Sequence, residues 1–397
     1  MKIKKIYPIT LSILLLSACS TKSIKKDTKR VDLGIKVDSY QAIDLNRSNN
    51  IGKNVYNFQS EENINQNITQ NDNIDNSDYS YLGGEFANNY LLMDFIDRMV
   101  VEHGFDKKYL NRIFSQAQYF YIIPKSKDCT STIVKRGGAW DRYRDCFIYE
   151  DNIQRGLDFW EKYEDTLNRA EATYGVPVKY ILAILGVETA YGVNFGKYRV
   201  IDVLTTKSMT GHRRSKFYTD ELEKYLLITR DIGVDPTELM GSTSGALGYG
   251  QFMPSSYMRF AIDFNGDGKR DLWDAEDAIG SIANYFAENG WRANIPKVAV
   301  RAKYKGNRFN RLKTGYKTKY SLSRLKKRYH IIPREKFVPY GKVSLIKLPR
   351  ATYDELWLGS PNFRVITRYN HSTFYGMTVF QLGEILEKRR YGGAKRL

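Results

Sequence analysis

A chain of 397 residues has room for one large domain or two smaller ones, and its 42% hydrophobic content with 30 tyrosines is that of a globular protein. Its 62 Lys and Arg against 44 Asp and Glu leave a formal charge of +18, which points to an anionic partner: nucleic acid, an anionic membrane surface or an acidic polymer. Zinc-ligand spacing, a Gly-rich phosphate loop and a G-x-S-x-G elbow are all missing from the sequence, so the enzyme classes built on them are set aside.

At the N-terminus, Lys2, Lys4 and Lys5 precede a short apolar run from Ile9 to Leu16 and then Leu16-Ser17-Ala18-Cys19. The run is too short to span a bilayer and has the form of a secretory signal, residues 1–18. Its Leu-Ser-Ala-Cys ending resembles a bacterial lipobox. The resemblance implies cleavage before Cys19 and acylation of that cysteine. Ser20 rather than Asp follows it, which in such lipoproteins points to the outer membrane. An ordinary cleaved signal with an incidental cysteine is the alternative. Residues 19–80 are polar, with apolar side chains scattered without period, and are expected to form a tether.

Order is expected from Tyr81 onward. Asn89 to Glu102 has helical period, with Leu92, Phe95, Ile96 and Met99 on one face. Lys107 to Gln118, Asp151 to Tyr174 as one long helix, Thr219 to Ile232 and Ala275 to Asn289 follow, giving an α-rich body over residues 81–296. Cys129 and Cys146 flank a polar loop, either as one disulfide or as two buried thiols. From Lys297 to Arg350 the texture changes. Val298 to Tyr304 and Val343 to Leu348 alternate like strands around a very basic run, so 297–350 is expected to be a small basic β-containing subdomain. That run is either a solvated surface or a patch that meets a negative polymer. Residues 351–397 form a C-terminal segment whose helix, Thr378 to Lys388, is expected to pack back on the helical body.

The most informative stretch is Gly175 to Tyr191, GVPVKYILAILGVETAY. It predicts one buried helix opened by Val176 and Pro177 and ended by Gly192. Ile181, Ile184, Leu185 and Glu188 fall at i, i+3, i+4 and i+7, so a single carboxylate closes an otherwise apolar face. A carboxylate in that place favours its neutral form, and a raised pKa lets it deliver a proton near neutrality. The plainer account is a helix-end Glu that reaches solvent or pairs with an Arg.

Gly241 to Tyr257, GSTSGALGYGQFMPSSY, holds four glycines and is expected to be an irregular segment lining something. Together with Gly186-Val187-Glu188-Thr189, Arg213-Arg214, Asp263 to Asp274, Asn284-Tyr285-Phe286 and Arg368-Tyr369-Asn370-His371-Ser372, it resembles the membrane-bound lytic murein transglycosylase B family. The match runs from about Leu82 to Leu386. The resemblance implies a lysozyme-like, mainly α (α+β) fold and cleavage of peptidoglycan without water. Glu188 would be the only acid/base: it protonates the oxygen between N-acetylmuramic acid and N-acetylglucosamine, then takes a proton from the muramic C6 hydroxyl, leaving a 1,6-anhydro end. Ordinary glycosidases use two carboxylates. Asp202 and Asp220 are second candidates only by nearness in sequence. By the same resemblance Ser242, Gln251, Tyr285 and Asn370 line the glycan cleft, and Arg213 and Arg214 face the peptide-bearing side, unless that pair is simply surface.

Asp263, Asn265 and Asp267 put oxygens at positions 1, 3 and 5 of a loop with Gly268 at its turn. The Lys269 carbonyl, Asp271 and Asp274 then fall at positions 7, 9 and 12, the spacing of an EF-hand loop. Calcium is the expected ion, as a structural brace; a polar loop that binds nothing is the alternative. The expected partners are peptidoglycan strands, the outer membrane through Cys19 and periplasmic cell-wall enzymes. The expected place is the periplasmic face of the outer membrane of a Gram-negative cell, where nucleic acid is not a partner. The rival from another class is a wall-binding tether without catalysis.

Overall fold

The structure is a computed structural model and describes residues 79–121, 138–306 and 308–392. The signal, Cys19, the tether and Cys129 lie outside these residues.

Thirteen helices and six short strands make up the described chain. The helices before the sheet are α1 (Tyr90–His103), α2 (Lys107–Ser115), α3 (Ala139–Asp145), α4 (Glu150–Lys162), α5 (Glu164–Tyr174), α6 (Val178–Glu188), α7 (Val200–Met209), α8 (Ser215–Ile232), α9 (Pro254–Phe260) and α10 (Ala275–Glu288). α11 (Leu322–Tyr329) lies within the basic run, and α12 (Pro361–Tyr369) and α13 (Thr373–Tyr391) close the described chain. The strands are β1 (Tyr198–Arg199), β2 (Met240–Gly241), β3 (Ala299–Lys303), β4 (Ile332–Pro333), β5 (Ser344–Pro349) and β6 (Asp354–Gly359). The fold is mainly helical, as expected.

α1 buries Leu92, Phe95, Ile96 and Met99, the face its period marks, and starts where Asn89 accepts from the Leu92 N–H at 3.0 Å. α2 stops three residues short of the expected Gln118. There the chain is drawn off by α7: Gln118 N–H donates to Asp202 and Phe120 N–H to Thr206 Oγ1. The expected long helix from Asp151 to Tyr174 is two helices. Tyr163 leaves helical geometry (φ −116°, ψ 30°), so α4 can pack on α6 and α13 while α5 turns onto α10. Apolar period alone cannot reveal such a break, because both halves bury compatible faces.

α6 is the centre of the body. It packs against α4, α5, α10 and α13, and every residue from Tyr180 to Val187 is buried. The sequence suggested one apolar face; the helix is enclosed on all sides, as an apolar-all-round helix must be. Its bounds also differ from expectation. Pro177 is the N-cap, and the first helical N–H, on Val178, is satisfied by the Glu171 carboxylate at 3.1 Å. The C-terminus falls at Glu188, because Ala190 (φ 50°) and Tyr191 (φ 63°) turn left-handed. Glu188 is therefore the last helical residue.

The larger sheet has the antiparallel order β4-β3-β6-β5. β3 and β5 are the two expected strands, but they do not pair with each other. β6, which lies beyond Arg350, runs between them, with Val300 opposite Leu358 and Ile346 opposite Trp357. Ala299, Ile346 and Leu348 face the main core. Val300, Ala302, Leu345 and Leu358 build a second core with Leu325 of α11, Phe309 and Ile331. α13 starts one turn earlier than expected and lies along α6.

Candidate active site

Glu188 sits at the end of α6 with its carboxylate turned toward α13. Tyr375 Oη donates to Glu188 Oε1 at 2.6 Å. Tyr143 of α3 and Tyr369 of α12 are its other titratable neighbours, and burial and the carboxylate together push both phenols up, so they stay neutral. Burial raises the Glu188 carboxyl to about 7, while the Tyr375 hydrogen bond pulls the other way. The residue keeps a partly exposed edge, as a group that must reach a substrate needs.

Its position is fixed by the residues on either side of it. Thr189 Oγ1 lies 3.1 Å from the carbonyl of Tyr249 and accepts from Gly192 N–H at 3.2 Å, tying the end of α6 to the Gly-rich loop. The Tyr191 ring folds back beneath the helix. A Cβ at Gly186 would stand 2.5 Å from the Tyr191 hydroxyl, and one at Gly156 2.4 Å from it, so glycine is required at both.

The Gly-rich loop closes on itself. Ser242 Oγ accepts from the N–H groups of Ser244 and Ala246, each at 3.1 Å. The Gln251 amide donates to the carbonyls of Phe195 (3.0 Å) and Gly248 (3.1 Å) from a left-handed backbone (φ 50°). Its side-chain carbonyl is therefore the end left for another partner. Tyr369 Oη donates to Gly250 O at 2.6 Å, and its ring lies nearly parallel to that of Tyr375 (6.4 Å, 12°). Tyr285 is 9% exposed, wedged edge-on between Phe260 and Tyr369 at 4.8 Å from each, with Phe252 at 5.8 Å. Its faces are thus occupied by protein rings rather than open for stacking. Asn370 is the C-cap of α12, next to Tyr369.

Tyr369 thereby links Glu188, Gln251, Tyr285 and Asn370 in one neighbourhood. Arg213 is exposed, and Arg214 caps α8 with its guanidinium 4.0 Å over the Phe217 ring. Arg214 approaches the far end of the loop through Tyr218 and Lys207, whose ammonium donates to the Thr243 carbonyl. Of the second carboxylates considered from sequence, Asp202 is held by Arg199 at 2.8 Å and Asp220 is exposed. No carboxylate among the described residues contributes to the shift of Glu188.

Tyr375 was missed in the sequence because it lies 187 residues from its partner. Tyr369 lies in the Arg368-Tyr369-Asn370-His371-Ser372 motif, whose sequence alone gives it no role. The usable signal was an aromatic pair, six residues apart, around the polar Asn370-His371-Ser372 turn.

The loop after α9 turns through Gly266 (φ 85°) and Gly268 (φ 87°). Asp263 accepts from the N–H groups of Gly266, Asp267 and Gly268, Asn265 from that of Asp267, and Asp267 from that of Lys269. Asp271 accepts from Trp273 N–H. Asp274 caps α10, accepting from Glu276 and Asp277. The carboxylate that reaches into the loop is that of buried Asp277, which accepts from Phe264, Asn265 and Asp271. Among the described residues no three His, Cys, Asp or Glu side chains already converge as a metal cage. The oxygen-only donors and two left-handed glycine turns nonetheless match a hard cation. Cys146 is disulfide-bonded.

A buried helix here delivers one carboxylate of raised pKa to aromatic and Gly-rich surroundings, the kind of group that can protonate a leaving oxygen. The family model described as the transglycosylase SLT domain matches residues 87–384, and the chain belongs to that family. It is 47% identical over 315 residues to membrane-bound lytic murein transglycosylase B of Escherichia coli K12, covering 78% of this chain and 86% of that one. The structure of the Escherichia coli lytic transglycosylase Slt35 in complex with calcium is similar at 46% identity and a TM-score of 0.72, over 78% of this chain and 96% of that one. That of SltB3 from Pseudomonas aeruginosa in complex with NAG-anhNAM-pentapeptide is similar at 25% identity and a TM-score of 0.63, over 75% and 78%.

Proposed function

We propose that this chain cleaves the glycan strands of peptidoglycan as a lytic transglycosylase, with Glu188 as both acid and base. The observation that carries the reading is a carboxyl held at about 7 with one hydrogen-bond donor and, among the described residues, no second carboxylate acting on it. At neutral pH a large fraction is protonated. Glu188 donates that proton to the bridging oxygen as the bond from C1 of the muramic acid to that oxygen breaks. The resulting carboxylate, still accepting from Tyr375, takes the proton of the C6 hydroxyl while O6 bonds to C1. The proton balance closes on one residue, and no water is consumed. The relative bound to an anhydromuramyl peptide supports this outcome.

Gln251 and Asn370 line the glycan path beside Tyr369, and Ser242 shapes its loop. Tyr285 supports the wall from within, with its hydroxyl as the end turned to substrate. Arg213 and Arg214 stand on the peptide side. Calcium, the ion in the similar Slt35 structure, would be held by Asp263, Asn265, Asp267 and the Lys269 carbonyl, with Asp277 rather than Asp274 nearest the loop. Its chemistry there is to fix the loop that precedes α10 and Tyr285.

Among the described residues no helix is long and apolar enough to cross a membrane. Acylation of Cys19 and residence on the periplasmic side of the outer membrane remain the reading of the N-terminal motif, and a membrane-bound relative supports it. Sacculi incubated with the protein test the catalytic role. Glu188→Gln should still pellet with sacculi and release no soluble fragments, a loss of at least about 10²-fold. Release at the parent rate would remove Glu188 from the mechanism.

A further inference from the structure

The net charge is not spread over the molecule. Residues 297–350 hold eighteen Lys and Arg and a single carboxylate, Glu335, against a charge of +18 for the whole chain. Glu335 pairs with Lys297. Where the sheet turns toward the helical body, Arg301, Lys347 and Arg350 are balanced by Glu355 and Asp354 of β6. Beyond these pairs, where Tyr304 Oη donates to the Asp354 carbonyl at 2.8 Å, the ends of β3, β4 and α11 enclose an open groove of about 550 Å³ lined by Lys303, Tyr304, Lys305, Lys326, Lys327, His330 and Ile332. All four lysines are exposed and none pairs with a carboxylate among the described residues.

A purely polar anion would need only these charges. The groove also presents apolar surface: Ile332 on the edge strand and Tyr304 at the end of β3 are each 37% exposed. Lysines around exposed aliphatic and tyrosyl side chains suit a surface that is anionic outside and apolar beneath. A glycan carrying carboxylates has hydroxyls where this face offers apolar side chains. The subdomain rests here on its own core, apart from the core that carries Glu188, so the face is free to bind while the cleft works.

We infer that the groove formed by Lys303, Lys305, Lys326 and Lys327 with Ile332 and Tyr304 docks the protein on an anionic phospholipid surface. This goes beyond the proposed catalysis and does not depend on it. The lysines sit on the headgroup phosphates and the apolar side chains enter the headgroup boundary. The contact would set which way the enzyme faces, whereas a lipid on a long tether would only keep it near.

The test is co-sedimentation of the full chain carrying Cys19→Ser, so that no acyl group contributes, with vesicles of phosphatidylcholine alone or mixed with phosphatidylglycerol. The expected result is a preference of about tenfold or more for the mixed vesicles, weakening as salt rises. It should vanish when all four groove lysines are changed to Glu and persist when Lys22, Lys25, Lys26 and Lys29 are. The paired changes Lys303→Gln with Lys305→Gln, and Lys326→Gln with Lys327→Gln, should each weaken it partially. Cleavage of sacculi in solution should stay within about twofold in these variants, which separates this claim from the catalytic one. Equal binding to both vesicles, a preference that survives reversal of the groove, or one lost with the tether lysines would overturn the inference. Loss of sacculus binding in the groove variants would assign the face to the wall and overturn it as well.

Discussion

At the scale of single residues, the property that makes Glu188 useful also destabilises the fold. Its carboxyl stands at about 7 in the folded chain against 4.5 for the ordinary group, because burial disfavours the charged form. A folded-state pKa raised in this way gives stability that is full below the unfolded value and is lost as pH rises through the folded one. Glu188→Gln, which cannot ionise, should therefore be more stable than the parent at pH 8, by roughly 3 kcal/mol, with the gap closing toward pH 4. Thermal unfolding at the two pH values measures this; an equal gap at both would mean the carboxyl is not shifted. Tyr375 acts in the opposite sense, since its hydrogen bond favours the carboxylate. Tyr375→Phe should move the alkaline limb of the pH–rate profile upward and lower the rate, while a profile unchanged in position would deny it any part in tuning Glu188. The shift of Glu188 was legible from the apolar residues around it on one helix. Tyr375 was not, because no local pattern shows which residue meets a group 187 positions away.

At the scale of elements, local chemistry set most starts, and tertiary contacts set the ends. Asn89, Asp106 and Ser372 accept from the backbone at helix N-termini as their residue types suggest. The early end of α2, the break at Tyr163 and the stop of α6 at Glu188 each answer to neighbours far along the chain. The stop matters most: had α6 continued to Tyr191, Glu188 would lie a turn inside it, and Thr189 could not reach the Tyr249 carbonyl. β6 was missed because Asp354 and Glu355 mask its alternation, although Leu356 and Leu358 follow it. The loop from Asp263 to Asp274 shows the same division. Its oxygen spacing is plain in the sequence, whereas the N-cap that Asp274 makes and the reach of Asp277 appear only in the fold. Adding calcium should raise the unfolding temperature of the parent by several degrees, about 1–3 kcal/mol at saturation. The Asp267→Ala variant should gain little. A parent indifferent to both calcium and chelator would leave the loop braced by its own hydrogen bonds alone.

At the scale of the molecule, the chain places Glu188 at the end of its most enclosed helix and lets the last helix complete its surroundings. α13 supplies Tyr375 and α12 supplies Tyr369, so the site forms only when the ends of the body meet. The class of the fold and the burial of the Glu188 carboxyl were legible because both rest on local apolar pattern and motif spacing. The pairing of β3 and β5 through β6, and the exclusion of Tyr285 from open stacking, depend on packing that the sequence does not display. The central claim is that one carboxyl does both proton transfers. It is tested most directly by mass spectrometry of the muropeptides released from purified sacculi, with Glu188→Gln alongside. Products lighter by one water than reducing-end muropeptides, and absent with the variant, are predicted. Reducing ends in the parent digest would mean that water attacks C1, and would contradict the account.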